Sequence, residues 1–171
     1  MLEMTTSGTS GTAQVTLPSD TEILIVREFD APRELVYRAY TTPELIKRWW
    51  AGKRGEVTRA DVDLRVGGRW RYVMTASEGF EVAFNGEYRE IVPNERLVTT
   101  EVFEGVPAPE PGEEAVNVVS FAETDGRTRL EVLVQCPNQE VRDAIIDSGM
   151  EGGMQEGMDL LEQEAISLAQ R

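Results

Sequence analysis

The chain has 171 residues, of which 40% are hydrophobic and 28% are charged, and its formal net charge is −14. This length and composition exclude a disordered chain and predict a single domain with a substantial core. The negative charge argues against nucleic acid as a partner, and the absence of any apolar run of about 18 residues predicts no membrane span.

The two ends of the chain differ from its middle. Residues 1–12 are rich in Thr, Ser and Gly and lack the apolar core of a signal peptide, so we interpret them as a flexible tail. Residues 13–171 are then a single domain, in which 13–21 form an extended arm. Cys136 is the only cysteine; this excludes an intrachain disulfide and favours a cytoplasmic location.

A strand followed by two short helices is predicted near the start of the domain. Strand Glu22–Phe29 is apolar on both faces, which is typical of a partly covered strand. Asp30 is a candidate N-cap for the first helix. Thr42 begins the second helix, which ends at Trp49 and Trp50.

The basic residues cluster between positions 47 and 71, a segment that we call the basic window. Its net charge is +5, although that of the whole chain is −14. A solvated surface explains this pattern, and so does a docking site for an acidic protein or an anionic ligand. Both interpretations remain open. The bases are Lys47, Arg48, Lys53, Arg54, Arg59, Arg65, Arg69 and Arg71.

Alternation of apolar and polar residues predicts six further strands in succession. The links between them are short, and Asp125-Gly126 is a strong signal for a tight hairpin. The sheet should therefore be an antiparallel meander, interrupted by a long acidic loop at 104–114. The six strands are predicted at 57–64, 69–76, 81–92, 95–103, 115–123 and 128–135.

Two helices follow the last strand. Asn138 is a candidate cap for a short helix, and a long helix runs from about Met150 to Ala169. Glycines four residues apart lie beside an apolar stripe on this long helix. Each interior glycine costs about 1 kcal/mol relative to alanine, so these need a reason, either close approach to the sheet or empty volume. They are Gly149, Gly153 and Gly157.

Several short motifs in this order resemble the helix-grip fold of the START-like (SRPBCC) superfamily. Within it, the chain is similar to the activator of heat-shock-protein ATPase homologue 1-like family over about residues 20–170. Met154 stands where that family often has a tryptophan. The motifs are Phe29-Asp30-Ala31-Pro32, the segment from Thr42-Pro43-Glu44 to Trp49-Trp50, Gly67-Gly68-Arg69-Trp70-Arg71-Tyr72, Phe84-Asn85-Gly86-Glu87-Tyr88-Arg89-Glu90-Ile91, Glu95-Arg96-Leu97-Val98, Thr128-Arg129-Leu130 and Ser148-Gly149-Met150 through Gly157.

The resemblance implies an α+β fold with a curved seven-stranded antiparallel sheet, two short helices and a long C-terminal helix. It also implies a deep cavity between the sheet and that helix. Relatives bind lipids, sterols, polyketides or other hydrophobic molecules, and a few in the wider superfamily are cyclases or dehydratases. The eukaryotic namesake stimulates a chaperone ATPase.

The residues themselves offer little catalytic chemistry. There are no histidines, which excludes the Ser-His-Asp and Cys-His arrangements and imidazole metal sites. Phosphate-binding glycine loops are also absent. We therefore expect no catalytic residue, no metal and no cofactor. Because tyrosines and carboxylates alone can move protons, a cyclase or dehydratase remains an alternative.

Large aromatic side chains, methionines and small glycines facing one another favour a pocket for a lipid, polyketide or aromatic molecule. A carrier or sensor is the first hypothesis, a chaperone-cofactor-like interaction domain the second, and a plain hydrophobic core would explain the same residues. The candidate ligand-binding residues are Trp50, Trp70, Tyr72, Met74, Phe84, Tyr88, Phe103, Val118, Ser120, Met150, Met154 and Met158.

Overall fold

The structure is a computed structural model that describes residues 13–170, so the predicted tail at 1–12 lies outside the described residues. It contains eight strands and four helices. The strands are β1 (Gln14–Thr16), β2 (Glu22–Phe29), β3 (Gly55–Val62), β4 (Arg69–Ala76), β5 (Glu81–Val92), β6 (Arg96–Phe103), β7 (Ala115–Thr124) and β8 (Arg127–Gln135). The helices are α1 (Arg33–Thr41), α2 (Pro43–Trp49), α3 (Gln139–Asp147) and α4 (Met150–Ala169).

All eight strands form one antiparallel sheet in the order β1-β2-β8-β7-β6-β5-β4-β3. The predicted meander from β3 to β8 is therefore confirmed. Asp125 and Gly126 have φ angles of 53° and 78°, as a tight hairpin of mirror-image type requires. Two β-bulges, one in the β3–β4 pair and one in the β5–β6 pair, bend the far half of the sheet.

The expected count of seven strands is wrong by one, because the predicted arm contains a paired strand. In β1, Val15 pairs with Ile25 of β2. The Ala13 backbone holds this strand at its start: its N–H donates to Oε1 of Gln155, 3.3 Å away, and its carbonyl accepts from Nε2 of Gln155, 2.8 Å away. The arm is ordered by these long-range contacts and not by a local pattern.

Helix capping follows the sequence only in part. Asn138 caps α3 as predicted, since its side chain accepts a 2.9 Å hydrogen bond from the Val141 N–H. The N-cap of α1 is Pro32 and not Asp30. The Asp30 N–H instead donates to Oε2 of Glu162 at 2.9 Å, because α4 passes next to the end of β2.

The helices pack on one face of the sheet, which we call the inner face. Its most deeply buried side chains have at most 3% of their surface exposed and meet Leu161 and Ala165 of α4 in one hydrophobic cluster. Burial of this apolar surface is the main source of stability for such a domain. These inner-face residues include Phe29, Leu97, Val119, Phe121 and Leu130.

One arginine is buried at the junction of β2 and α4. The Arg27 side chain is 0% exposed; its Nη1 lies 2.7 Å from Oδ1 of Asp159 and its Nη2 lies 2.8 Å from Oε1 of Glu162. The guanidinium carbon is also 5.0 Å from the centroid of the Phe29 ring. Arg27 therefore joins the sheet to two successive turns of the long helix.

The glycines of α4 now have an explanation. Gly149 has a φ of +81°, a left-handed conformation that glycine adopts without strain, and it joins α3 to α4. A Cβ atom at Gly153 would lie 3.2 Å from the Arg54 guanidinium carbon, and one at Gly157 would lie 3.2 Å from the Trp49 carbonyl oxygen. Close approach of the loop after α2, rather than contact with the sheet, requires these small residues.

Within the described residues, no helix is both long and apolar enough to cross a membrane.

The buried arginine generates a stability prediction. Arg27→Met should lower the free energy of unfolding by about 3–5 kcal/mol, because it leaves two carboxylates without their buried cation. Arg48→Met is the matched control: Arg48 also pairs with a carboxylate of α4, Glu164, but it is 54% exposed, so the loss should be below about 1 kcal/mol. Urea denaturation measures both, and equal losses would contradict this account.

Candidate functional site

The inner face is covered unevenly along the strands. At one end, Phe29, Leu97 and Leu130 are at most 2% exposed. Toward the other end of the same face, several side chains on β5, β6, β7 and β8 are only partly buried. They are Phe84, Glu101, Asn117 and Val134. At this second end, Ile23 of β2, which pairs with Val134, is still 0% exposed, so the incomplete burial is confined to part of the inner face, around β5, β6, β7 and the end of β8. We call the accessible part the interior cleft.

Helix α4 shows the same gradient. Leu161 and Ala165 in its C-terminal half are 0% exposed, and Met158 is 7% exposed. Met150 and Met154, in its N-terminal half, pack against the core but remain partly exposed. The helix therefore closes one end of the inner face and leaves methionine side chains accessible at the other.

Aromatic rings form a continuous wall in the interior cleft. Trp50, immediately after α2, makes edge-on contacts with Tyr72 and Phe84, each with a centroid distance of 5.3 Å. Tyr72 also contacts Trp70 at 4.7 Å, and Phe84 contacts Phe103 at 5.2 Å. These five residues, all predicted from the sequence, are brought together because β4, β5 and β6 are adjacent.

Three tyrosine side chains lie in or close to this aromatic wall. Burial is the main cause that raises the pKa values of Tyr40, Tyr72 and Tyr88. Electrostatic interaction with Glu101 adds to the increase for Tyr40 and Tyr72. At neutral pH these side chains are therefore neutral hydrogen-bonding groups. Tyr72 and Tyr88 were predicted, whereas Tyr40 was not, because helical periodicity marked it only as core.

Glu101 is the charged residue that the sequence reasoning missed. It lies on β6 two residues before Phe103, and its Oε1 accepts a 2.6 Å hydrogen bond from Nδ2 of Asn117 on β7. Burial raises the pKa of the Glu101 carboxyl, and the hydrogen bond from Asn117 offsets this in part. A signal was available, since the alternation that turns Leu97 inward also turns residues 99, 101 and 103 inward.

Two of the predicted residues lie elsewhere. Val118 and Ser120 are on the outer face of the sheet, because their neighbour Val119 is 2% exposed and points inward. They line a shallow outer depression of about 340 Å³ together with Leu24 and Leu133. The expectation that Val118 and Ser120 belong to the same interior site as the others is corrected by this placement.

The remaining predicted residues are on the inner side. Met74, which is two residues after Tyr72 on β4, is partly buried and packs against the core. Met150 and Met154 are also partly buried and pack against the core. Met158 and Tyr88 are 7% and 4% exposed, so they belong to the sealed part. Phe103, at 40% exposed, lies at the rim of the interior cleft.

Arginines of the basic window are largely paired with nearby groups. Arg59 lies 2.7 Å from Asp61, Arg65 lies 2.9 Å from Asp63, and Arg71 lies 2.9 Å from Glu104. The Nη2 of Arg54 donates a 2.7 Å hydrogen bond to the Gly149 carbonyl. These local partners reduce the positive field that the sequence alone predicts for this segment.

No group of three metal-binding side chains is found in residues 13–170. The thiol of Cys136 is not activated, because burial raises its pKa and so disfavours the nucleophilic thiolate.

A sheet folded against one long terminal helix defines the helix-grip class of α+β proteins. The family model described as "Activator of Hsp90 ATPase homolog 1-like protein" matches residues 30–165. The chain therefore belongs to this family, as the resemblance in sequence indicated. A search of curated proteins finds no significant match.

Solved structures share the fold. A protein from Rhodobacter sphaeroides is 26% identical with a TM-score of 0.80, and the match covers 93% of this chain and 99% of that one. A protein from Nitrosomonas europaea is 24% identical with a TM-score of 0.80 and coverages of 91% and 100%. An AHSA1-like protein from Aeromonas hydrophila is 22% identical with a TM-score of 0.63 and coverages of 86% and 95%.

The raised pKa of Glu101 has a testable effect on stability. The folded state holds this proton to a higher pH than the unfolded chain, so stability decreases as the pH rises above the ordinary carboxyl value. Glu101→Gln imitates the protonated acid. We expect it to raise Tm relative to the wild type at about pH 8 and to lose this advantage at about pH 4.

Thermal unfolding followed by circular dichroism across this pH range measures the effect. Glu131→Gln, on the outer face, is the control and should show no gain that depends on pH. A gain for Glu101→Gln that stays constant from low to high pH would contradict the assignment of Glu101 as a buried acid.

Proposed function

We propose that this protein binds a small hydrophobic molecule in the interior cleft and acts as a carrier or sensor. The observation that carries the proposal is the gradient of burial along the inner face. Phe84 and Met154 remain partly accessible beside a core in which Phe29 and Leu161 are 0% exposed, so part of the apolar inner face is left incompletely covered.

The side chains around the interior cleft suit an apolar guest. The rings of Trp50, Tyr72 and Phe84 offer a large, rigid contact area. Met150 and Met154 are flexible and polarisable, so they adapt to irregular ligands. A few polar groups, the Tyr72 hydroxyl and the Glu101 carboxyl, would orient the guest, as is usual in small-molecule sites.

Binding fits the site better than catalysis. Because burial raises the pKa values of Tyr72 and Tyr88, their hydroxyls suit hydrogen bonding more than proton abstraction at neutral pH. The name of the family refers to activation of the Hsp90 ATPase. The local pairing of Arg59, Arg65 and Arg71 gives no particular support to a protein-docking surface at the basic window.

The proposal is tested by adding a large side chain to the interior cleft. Met154→Trp should weaken binding of the neutral hydrophobic dye Nile red by about tenfold, because it fills volume next to the aromatic wall. Dye fluorescence in a titration measures the affinity, and a ligand-induced rise in Tm checks it independently.

Ser120→Trp is the matched control, since it adds the same side chain on the outer face. It should leave the affinity for Nile red unchanged. Failure of the wild-type protein to bind the dye and a panel of lipids would refute the carrier proposal. A larger loss for Ser120→Trp than for Met154→Trp would move the site to the outer depression.

A further inference from the structure

We propose that the ligand of the interior cleft is a hydrophobic amine whose protonated nitrogen pairs with Glu101. This inference rests on the proposed function and adds the chemical class of the guest.

The Glu101 carboxyl has capacity for a further partner. Its Oε1 accepts the hydrogen bond from Asn117 at 2.6 Å. Within residues 13–170, no other group donates a hydrogen bond to this carboxyl, and no lysine or arginine forms an ion pair with it. A hydrogen bond from an incoming donor to Oε2 would therefore displace no protein contact.

The Glu101 carboxyl is partly buried and partly desolvated, and no cation of the described residues is paired with it. Buried charges in proteins are usually paired, because an unpaired charge in an apolar environment is strongly unfavourable. Elsewhere in this protein the buried charge of Arg27 is compensated in the usual way, by ion pairs with Asp159 and Glu162. At Glu101 the corresponding cation is missing from the described chain, and a protonated amine of the ligand would supply it.

The aromatic wall favours the same guest. Tyr72 is close enough to Glu101 to interact with it electrostatically, and its ring packs against Trp50, which also contacts Phe84. Aromatic rings attract cations and pack well against the apolar body of a ligand. The net charge of −14 also raises the local concentration of cations. A fatty acid or another carboxylate would instead place a like charge beside Glu101.

Three ligands with one ring system separate these possibilities: 1-naphthylmethylamine, 1-naphthalenemethanol and 1-naphthoic acid. Calorimetric titration of the wild-type protein at neutral pH should show the amine binding about tenfold more tightly than the alcohol, as expected for a charge-assisted hydrogen bond. The acid should bind most weakly of the three.

Glu101→Gln keeps the size and the hydrogen bond from Asn117 while removing the charge. It should remove the preference for the amine, about a tenfold loss, and change the affinity for the alcohol by less than about twofold. Glu131→Gln on the outer face is the control and should retain the preference. Circular dichroism establishes that both variants are folded.

Equal binding of amine and alcohol by the wild-type protein would overturn the inference and leave the carrier proposal intact. So would an unchanged preference for the amine in Glu101→Gln. If none of the three ligands binds and Nile red also fails to bind, the proposed function itself is refuted and this inference with it.

Discussion

The buried ion pair between Arg27 and the two carboxylates of α4 sets the position of the long helix on the sheet. Asp159 and Glu162 lie three residues apart, so they face the same side of the helix and reach one guanidinium together. Sliding or rotating α4 would separate Arg27, which is 0% exposed, from these carboxylates, and leaving a buried charge without its partners is strongly unfavourable. The helix is therefore held at one position along β2.

The interior cleft follows from that position. With α4 held at Asp159 and Glu162, its C-terminal half covers the sealed end of the inner face, and its N-terminal half extends over the accessible end. There Gly153 of the helix lies close to Arg54 in the loop after α2, while Met150 and Met154 pack against the core. The same helix thus contributes Leu161 and Ala165 to the dense core and leaves Met150 and Met154 partly exposed.

Local patterns predicted most of the elements. The bounds of α4 and of β2, β4 and β5 agree with those expected, because periodicity and turn residues act over a few neighbouring positions. Strand β1 was not predicted as a strand, since three residues carry no usable alternation. It forms through pairing with β2 and contact with Gln155, which are far away in sequence.

The sequence by itself determined the order of strands and helices, the family, and the shared face of Trp70, Tyr72 and Met74. It did not determine which face of β7 is interior, because both faces of that strand carry apolar residues: Val116 and Val118 on one, Val119 and Phe121 on the other. Only the packing of the helices against Val119 and Phe121 decides this. That packing turns Asn117 toward the interior cleft and Ser120 away from it, and pairing with β6 then brings Asn117 to Glu101.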